Sequence, residues 1–260
     1  MSLIQTIENN IFAIGRYWGN IHSSISSDNG VYSMSTGIEV ADLNWTWNEK
    51  PLVQKDARII HQLKRNYSDL NLPFWWWVYP CGQSDKTKEI LQNGGFNYRE
   101  SISCMALDLD SRPPLQIQKS DGIEISLVKD DRELKIWEDV SFAGFEMPQK
   151  TRRQYNEFVK SFDVSKNSQQ KLFLTYWKGM PVATALLFFN GDAAGFYFIT
   201  TLAAYRKRGI AMELVKSAIK YVQTSSYKYC ILQSSKEGLN VYLRAGFKEY
   251  CHADVYCLPD

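Results

Sequence analysis

The chain reads as α+β, in two similar halves, each a mixed, mostly antiparallel sheet flanked by helices. Three observations carry this. First, Ser84–Phe96 aligns without a gap on Ser235–Phe247, placing Ser84 on Ser235, Leu91 on Tyr242, Gly95 on Gly246 and Phe96 on Phe247. Each copy sits between two strand-like apolar runs, so one supersecondary unit is repeated. Second, the strand-like runs before residue 202 are joined by turn signals, the strongest being Asn190-Gly191, where both positions favour positive φ. Third, Gly195–Val222 changes from aromatic and β-branched residues to a three- and four-residue apolar spacing. A run of antiparallel strands feeding a strand–helix–strand crossover fits an α+β domain.

Composition bounds the function. At 260 residues, 45% hydrophobic and 22% charged, the chain has a globular composition and room for two ordinary domains. Its longest apolar run, Val182–Phe189, is broken by Thr184 and is too short to span a membrane. The opening MSLIQTIENN lacks a basic region followed by an apolar core, so no signal peptide and a cytoplasmic location are expected. A net charge of +2 argues against a general nucleic-acid binder. Cys81, Cys104, Cys230, Cys251 and Cys257 show no C-x-x-C spacing and read as reduced, mostly buried thiols. His22, His61 and His252 are scattered, so no metal site is expected.

The elements follow in order. The first 30 residues hold an amphipathic helix carrying Ile11, Phe12, Ile14, Tyr17 and Trp18, then a turn-rich loop over Ser23–Gly30. Val31–Ile38 and Val40–Trp47 read as strands, Asp56–Tyr67 as a helix and Leu72–Pro80 as a strand. Trp75-Trp76-Trp77 lies in that strand, where alternation sends neighbours to opposite faces, so packing on both faces is expected rather than one stacking platform. The first copy of the repeat and a strand over Ser101–Leu109 close a first domain, 1–110. Ser111 to Asp121, with Pro113-Pro114, reads as the linker, and 122–260 as the second domain. In the latter, Ile123–Val128 is a strand, and Asp131–Phe145 and Thr151–Phe162 are helices. Strands follow at Lys171–Trp177, Pro181–Phe189 and Ala193–Thr201. A helix from Lys207 to about Gln223, a strand over Tyr227–Gln233, the second copy of the repeat and a last strand complete the chain.

Between strand and helix sits Arg206-Lys207-Arg208-Gly209-Ile210-Ala211. The first N–H groups of a helix have no internal partner and point at any anion placed there. Glycine permits close backbone approach, and three consecutive cations raise the local potential. Such a turn can hold a phosphate. The pattern R-x-x-G-x-A after a strand resembles the acyl-CoA pyrophosphate loop of the GNAT superfamily of N-acyltransferases. Ser235–Phe247, ending in Tyr242-Leu243-Arg244-Ala245-Gly246-Phe247, is similar to the later helix of that family, with its Y-x-x-x-G-F ending. The order of strand, loop, helix, strand, helix and last strand is also the family's order. The resemblance covers about Gly122 to Asp260, and with the repeat it implies tandem GNAT-like domains.

The resemblance implies an acetyl-CoA-dependent N-acetyltransferase acting by direct attack of a primary amine, without a covalent enzyme intermediate and without a metal. Arg206, Lys207, Arg208, Gly209, Ile210 and Ala211 would cradle the pyrophosphate, and Ile199, Thr200, Thr201 and Leu202 would run beside the pantetheine. Ser235, where many members carry an asparagine, and Asn240 are further candidates for CoA contact. Tyr242 would be the acid that protonates the leaving thiolate. Glu146, in the loop between the first two helices of the domain, is the candidate base. The first half has no R-x-x-G-x-A, and Leu91 stands in place of Tyr242, so it is read as degenerate. The acceptor, a small-molecule or protein amine, is not readable, and either a monomer or a homodimer fits. Two alternatives stay open: an acyl-CoA-binding sensor without catalysis, and an aminoacyl-tRNA-dependent transferase of similar fold.

Overall fold

A computed structural model describes residues 1–111, 113, 115 and 121–259. The first helices and strands are α1 (Leu3–Ile21), β1 (Ser26–Asp28), β2 (Val31–Ser35), β3 (Asn44–Asn48), α2 (Ala57–Asp69), β4 (Trp75–Val78), α3 (Asp85–Asn93) and β5 (Asn97–Asp108). They are followed by β6 (Ile123–Leu127), α4 (Asp131–Gly144), α5 (Arg152–Lys160), β7 (Gln170–Trp177), β8 (Met180–Asn190) and β9 (Ala193–Thr201). The last are α6 (Ile210–Gln223), β10 (Tyr229–Ser234), α7 (Leu239–Ala245) and β11 (Lys248–Cys257). Most of the expected linker, residues 112, 114 and 116–120, lies outside the described residues. The chain forms two compact units, Met1–Cys104 with Tyr250–Asp260, and Met105–Glu249.

In the first unit β1, β2 and β3 pair antiparallel, β3 pairs parallel with β4, and β4 pairs antiparallel with β11. The chain's final strand therefore belongs to this unit, a pairing that no local pattern announces. Strand β1 falls where a loop was expected. Its turn is Asn29-Gly30, with φ of 47° and 80°, which closes a two-residue hairpin between Asp28 and Val31. Ser2 caps α1 through a capping box with Gln5, and the helix buries Ile7, Ile11, Phe12, Ile14 and Trp18. The tryptophans of β4 divide as alternation requires. Trp76 is fully buried and donates from Nε1 to Asn48 Oδ1 at 2.9 Å, while Trp75 and Trp77 contact one another and Arg99 lies over Trp75. A second core layer joins Trp76 to Ile60, Leu63 and Tyr67 of α2, Leu91 of α3 and Phe96, just past the Gly94-Gly95 turn that ends α3.

In the second unit β6, β7, β8 and β9 pair antiparallel in sequence order, and β9 pairs parallel with β10. Helix α6 lays Ile210, Leu214, Val215, Ala218, Ile219 and Val222 on the sheet, the residues whose spacing marked its apolar face. The opposite face is covered by α4 and α5, with Trp137, Phe158 and Phe162 gathered around Phe198 of β9. Buried Glu138 of α4 binds Lys135 and Arg152 and accepts from Asn156 of α5 at 2.6 Å, so its charge is paired where it is desolvated. Both units are thus mixed, mostly antiparallel sheets with helices on their faces. Among the described residues none of the five cysteines forms a disulfide.

Candidate active site

Two features at the end of β9 build the site. The first is a bulge. Thr200 pairs with Thr184 and Tyr197 with Leu186, so Phe198 and Ile199 together oppose Ala185. Phe198 takes φ of 49°, a left-handed conformation unusual for a bulky residue, and its carbonyl accepts from Thr184 Oγ1 at 3.0 Å. The second is a parting of strands. The β9–β10 register runs through Ala193–Tyr229, Ala194–Cys230 and Gly195–Ile231, and stops there. Phe196 to Thr201 remain bonded to β8, and Leu202 N donates to Val182 O at 2.9 Å. Ile199, Thr200 and Thr201 lie beyond the register with β10, and a strand edge presents a row of donors and acceptors to an extended ligand.

The basic turn begins just past that edge. Lys207 and Gly209 both have left-handed φ, 63° and 80°, a backbone that turns N–H groups toward a common concavity. Gly209 is the N-cap of α6, and a Cβ built there would meet no atom within 4 Å. The space beside it is open to a ligand. Glu213 N donates to Gly209 O at 3.1 Å, which leaves the N–H groups of Ile210 and Ala211 ahead of the helical ladder. Lys207 and Arg208 are exposed, Arg208 donating to Ala204 O and stacking near Tyr205.

Arg206 behaves differently. Its Nε donates to Thr201 O at 3.0 Å, and its Nη2 donates to Gly144 O and Glu146 Oε1, both at 3.2 Å. Glu146, the candidate base, is therefore ion-paired, and it sits on a left-handed backbone with φ of 53°. Gly144 is held equally closely. A Cβ there would come within 2.6 Å of Thr200 Cγ2, so only glycine lets the end of α4 meet β9. Exposed Phe145 completes the contact, edge-on to Phe198 at 5.7 Å. No sequence signal pointed to this docking of the 144–146 loop, because each partner is distant in the chain.

Tyr242 lies on α7, buried, with its ring edge-on to Phe247 at 6.0 Å. Burial pushes its phenol up to about 12. Gly238 is tight against the ring, since a Cβ there would come within 2.8 Å of Tyr242 Cε2. Ser235 Oγ accepts from Gly238 N at 3.2 Å, so this serine caps the turn into α7. Asn240 is exposed on the same helix. Among the described residues no group of three or more His, Cys, Asp or Glu could hold a metal ion, and no helix is long and apolar enough to cross a membrane.

No curated protein matches the sequence. The structure is similar to a GCN5-related N-acetyltransferase from Kribbella flavida, with a TM-score of 0.71 and 13% identity over 96% of this chain and 95% of that one. It is also similar to a GCN5-related N-acetyltransferase from Sphaerobacter thermophilus, with a TM-score of 0.64 and 14% identity over 88% and 76% of the two chains. A tandem GNAT protein from the clavulanic acid biosynthesis pathway aligns with a TM-score of 0.59 and 12% identity, over 88% and 79% of the two chains. The family model described as an acetyltransferase (GNAT) domain matches residues 138–256. Residues 138–256 therefore match an acetyltransferase (GNAT) domain, and the chain shares its fold with these N-acetyltransferase structures.

Proposed function

We propose that the protein transfers an acetyl group from acetyl-CoA to a primary amine. The observation that carries this is the parting of β9 and β10 after Gly195–Ile231, directly before the left-handed turn at Lys207 and Gly209. A pantetheine arm, with its two amides, suits the strand edge of Ile199, Thr200, Thr201 and Leu202. The diphosphate suits the N–H groups from Lys207 to Ala211, next to the open space at Gly209. Ser235, ahead of α7, and Asn240, on it, line the approach on this reading, with Ser235 in a weaker or water-mediated contact because one hydroxyl stands where many members carry an amide.

The chemistry balances without a covalent enzyme intermediate. The amine lone pair attacks the thioester carbonyl, the C–N bond forms, the C–S bond breaks, and the thiolate leaves. Tyr242, whose phenol is protonated throughout the neutral range, donates its Oη hydrogen to the departing sulfur. The attacking nitrogen releases a proton to solvent, and solvent returns one to the Tyr242 phenolate, so the enzyme is regenerated. An exposed carboxylate paired with Arg206 is poorly placed to deprotonate an ammonium of pKa about 10.4, so Glu146 is given no base role. The tandem architecture gives the first half a scaffolding role, since Leu91 occupies the place of Tyr242 and has no proton to give.

Calorimetric titration with acetyl-CoA tests the reading, with Gly209→Glu alongside. One site in the wild type, lost in the variant, supports it. Absence of binding in the wild type would remove it.

A further inference from the structure

We propose that Arg206 is a positioning residue that ties the acceptor-side loop, Gly144 to Met147, to the end of β9, and that it does not serve the diphosphate. The inference rests on the acyl-transfer reading for the word acceptor, but its geometry does not. The first arginine of an R-x-x-G-x-A turn invites assignment to the phosphates, because its charge and place in the sequence suit them. Here its guanidinium is already engaged. Nε is held by Thr201 O, the last residue of β9, and Nη2 by Gly144 O and Glu146 Oε1. These three acceptors come from two chain segments about sixty residues apart.

Arginine suits this task for a definite reason. Its planar fork presents donors at fixed angles, so one side chain can bridge several oxygens at once, which an ammonium on a flexible stem does far less well. The tie is also cooperative with the packing around it. Gly144 can approach Thr200 only because it lacks a Cβ, and Phe145 closes on the Phe198 bulge beside it. The bulged strand and the loop are therefore pressed together at three places, and Arg206 supplies the polar one. The same loop holds Glu146 in a left-handed conformation. A backbone in that region needs its surroundings to hold it, and the Arg206 pair is the contact that does so at the side chain. The consequence for the reaction is a fixed wall on the acceptor side of the thioester, set before any amine arrives.

The experiment compares wild type with Arg206→Lys, Arg206→Ala and Glu146→Gln. Hydrogen exchange of the ligand-free protein is followed at the Phe145, Glu146 and Met147 amides, which bond to Ser141, Ala143 and Phe142 carbonyls. Exchange is expected to quicken about tenfold in both Arg206 variants, less in Glu146→Gln, with the core of β8 unaffected. Acetyl-CoA affinity, measured by calorimetry, is expected to stay within about twofold in all three. A panel of a polyamine, an aminoglycoside and a lysine peptide then supplies a kinetic readout. For any amine turned over, KM for the amine rises at least about fivefold in Arg206→Lys, while kcat and KM for acetyl-CoA hold. Unchanged loop exchange would overturn the proposal. So would a tenfold loss of acetyl-CoA affinity in Arg206→Ala that Arg206→Lys restores, since a point charge rescues attraction to a diphosphate but not a three-way fork. A wild type that binds no acetyl-CoA fails the acyl-transfer reading instead, and the tie is then decided by the exchange rates alone.

Discussion

Leu91 and Tyr242 occupy the same position in the two copies of one motif. Leu91 O accepts the N–H of Phe96 at 3.0 Å, and Tyr242 O accepts the N–H of Phe247 at 3.0 Å. In each copy a left-handed glycine stands between them, Gly95 at φ 89° and Gly246 at φ 97°. In each a serine seven residues earlier accepts from the N–H three residues on, Ser84 from Thr87 and Ser235 from Gly238. The repeat seen in the sequence is thus a repeat of hydrogen bonds. At the position of Leu91 and Tyr242 only the second copy carries a hydroxyl.

The shared glycine makes the first prediction. Gly246→Ala and Gly95→Ala should each destabilise their unit by about 1–2 kcal/mol, the cost of a Cβ in the left-handed region. Chemical denaturation checks both. Equal losses would show that the motif is structural in both copies, independent of any ligand.

Tyr242→Phe should lower kcat by about a hundredfold or more, the usual worth of a positioned general acid. Affinity for acetyl-CoA should stay near the wild-type value. Steady-state kinetics beside calorimetry separates the two. An undiminished kcat would remove Tyr242 from the chemistry and leave it a core tyrosine against Phe247.

Gly144→Ala should destabilise by about 1–3 kcal/mol, because its Cβ would press on Thr200 and overpacking costs that much. Helix propensity alone would favour alanine by up to about 1 kcal/mol, so the sign is informative. Thr200→Ala removes both crowding atoms, and the double variant should recover most of the loss. Melting curves of the four proteins give the coupling.

Stability should fall in alkali. Burial raises the phenols of Tyr67 and Tyr242 to about 12 from their ordinary 10. Below pH 10 both are protonated in the folded and unfolded chains, and their ionisation has no effect. Above pH 10 the unfolded chain loses these protons first, so stability is lost between pH 10 and 12, by at most about 3 kcal/mol for each group. Urea titrations from pH 8 to 11 check this. In Tyr67→Phe and Tyr242→Phe the slope above pH 10 should shrink by each residue's share.

Much of this protein was determined by its sequence alone, for reasons that are local. The apolar spacing of Ile210 to Val222 places α6 and Ser84–Phe96 repeats in Ser235–Phe247, because periodicity and helix caps act over a few residues; the β8–β9 hairpin forms where the sequence signals it, but its two turn residues are Gly191-Asp192, with Asn190 still paired to Ala193 as the end of β8. The R-x-x-G-x-A turn is visible for the same cause. Only the tertiary structure decided that β11 pairs with β4, that Phe198 bulges against Ala185, that β9 and β10 part after Gly195, and that Arg206 is held by Gly144 and Glu146. Those contacts join residues far apart in the chain. A strand's own composition does not name its neighbour, and a guanidinium's charge does not name its partner. Both are settled by which surfaces the packed core brings together, which here sets the end of the β9–β10 register, a left-handed bulge and a glycine's missing Cβ close to one another.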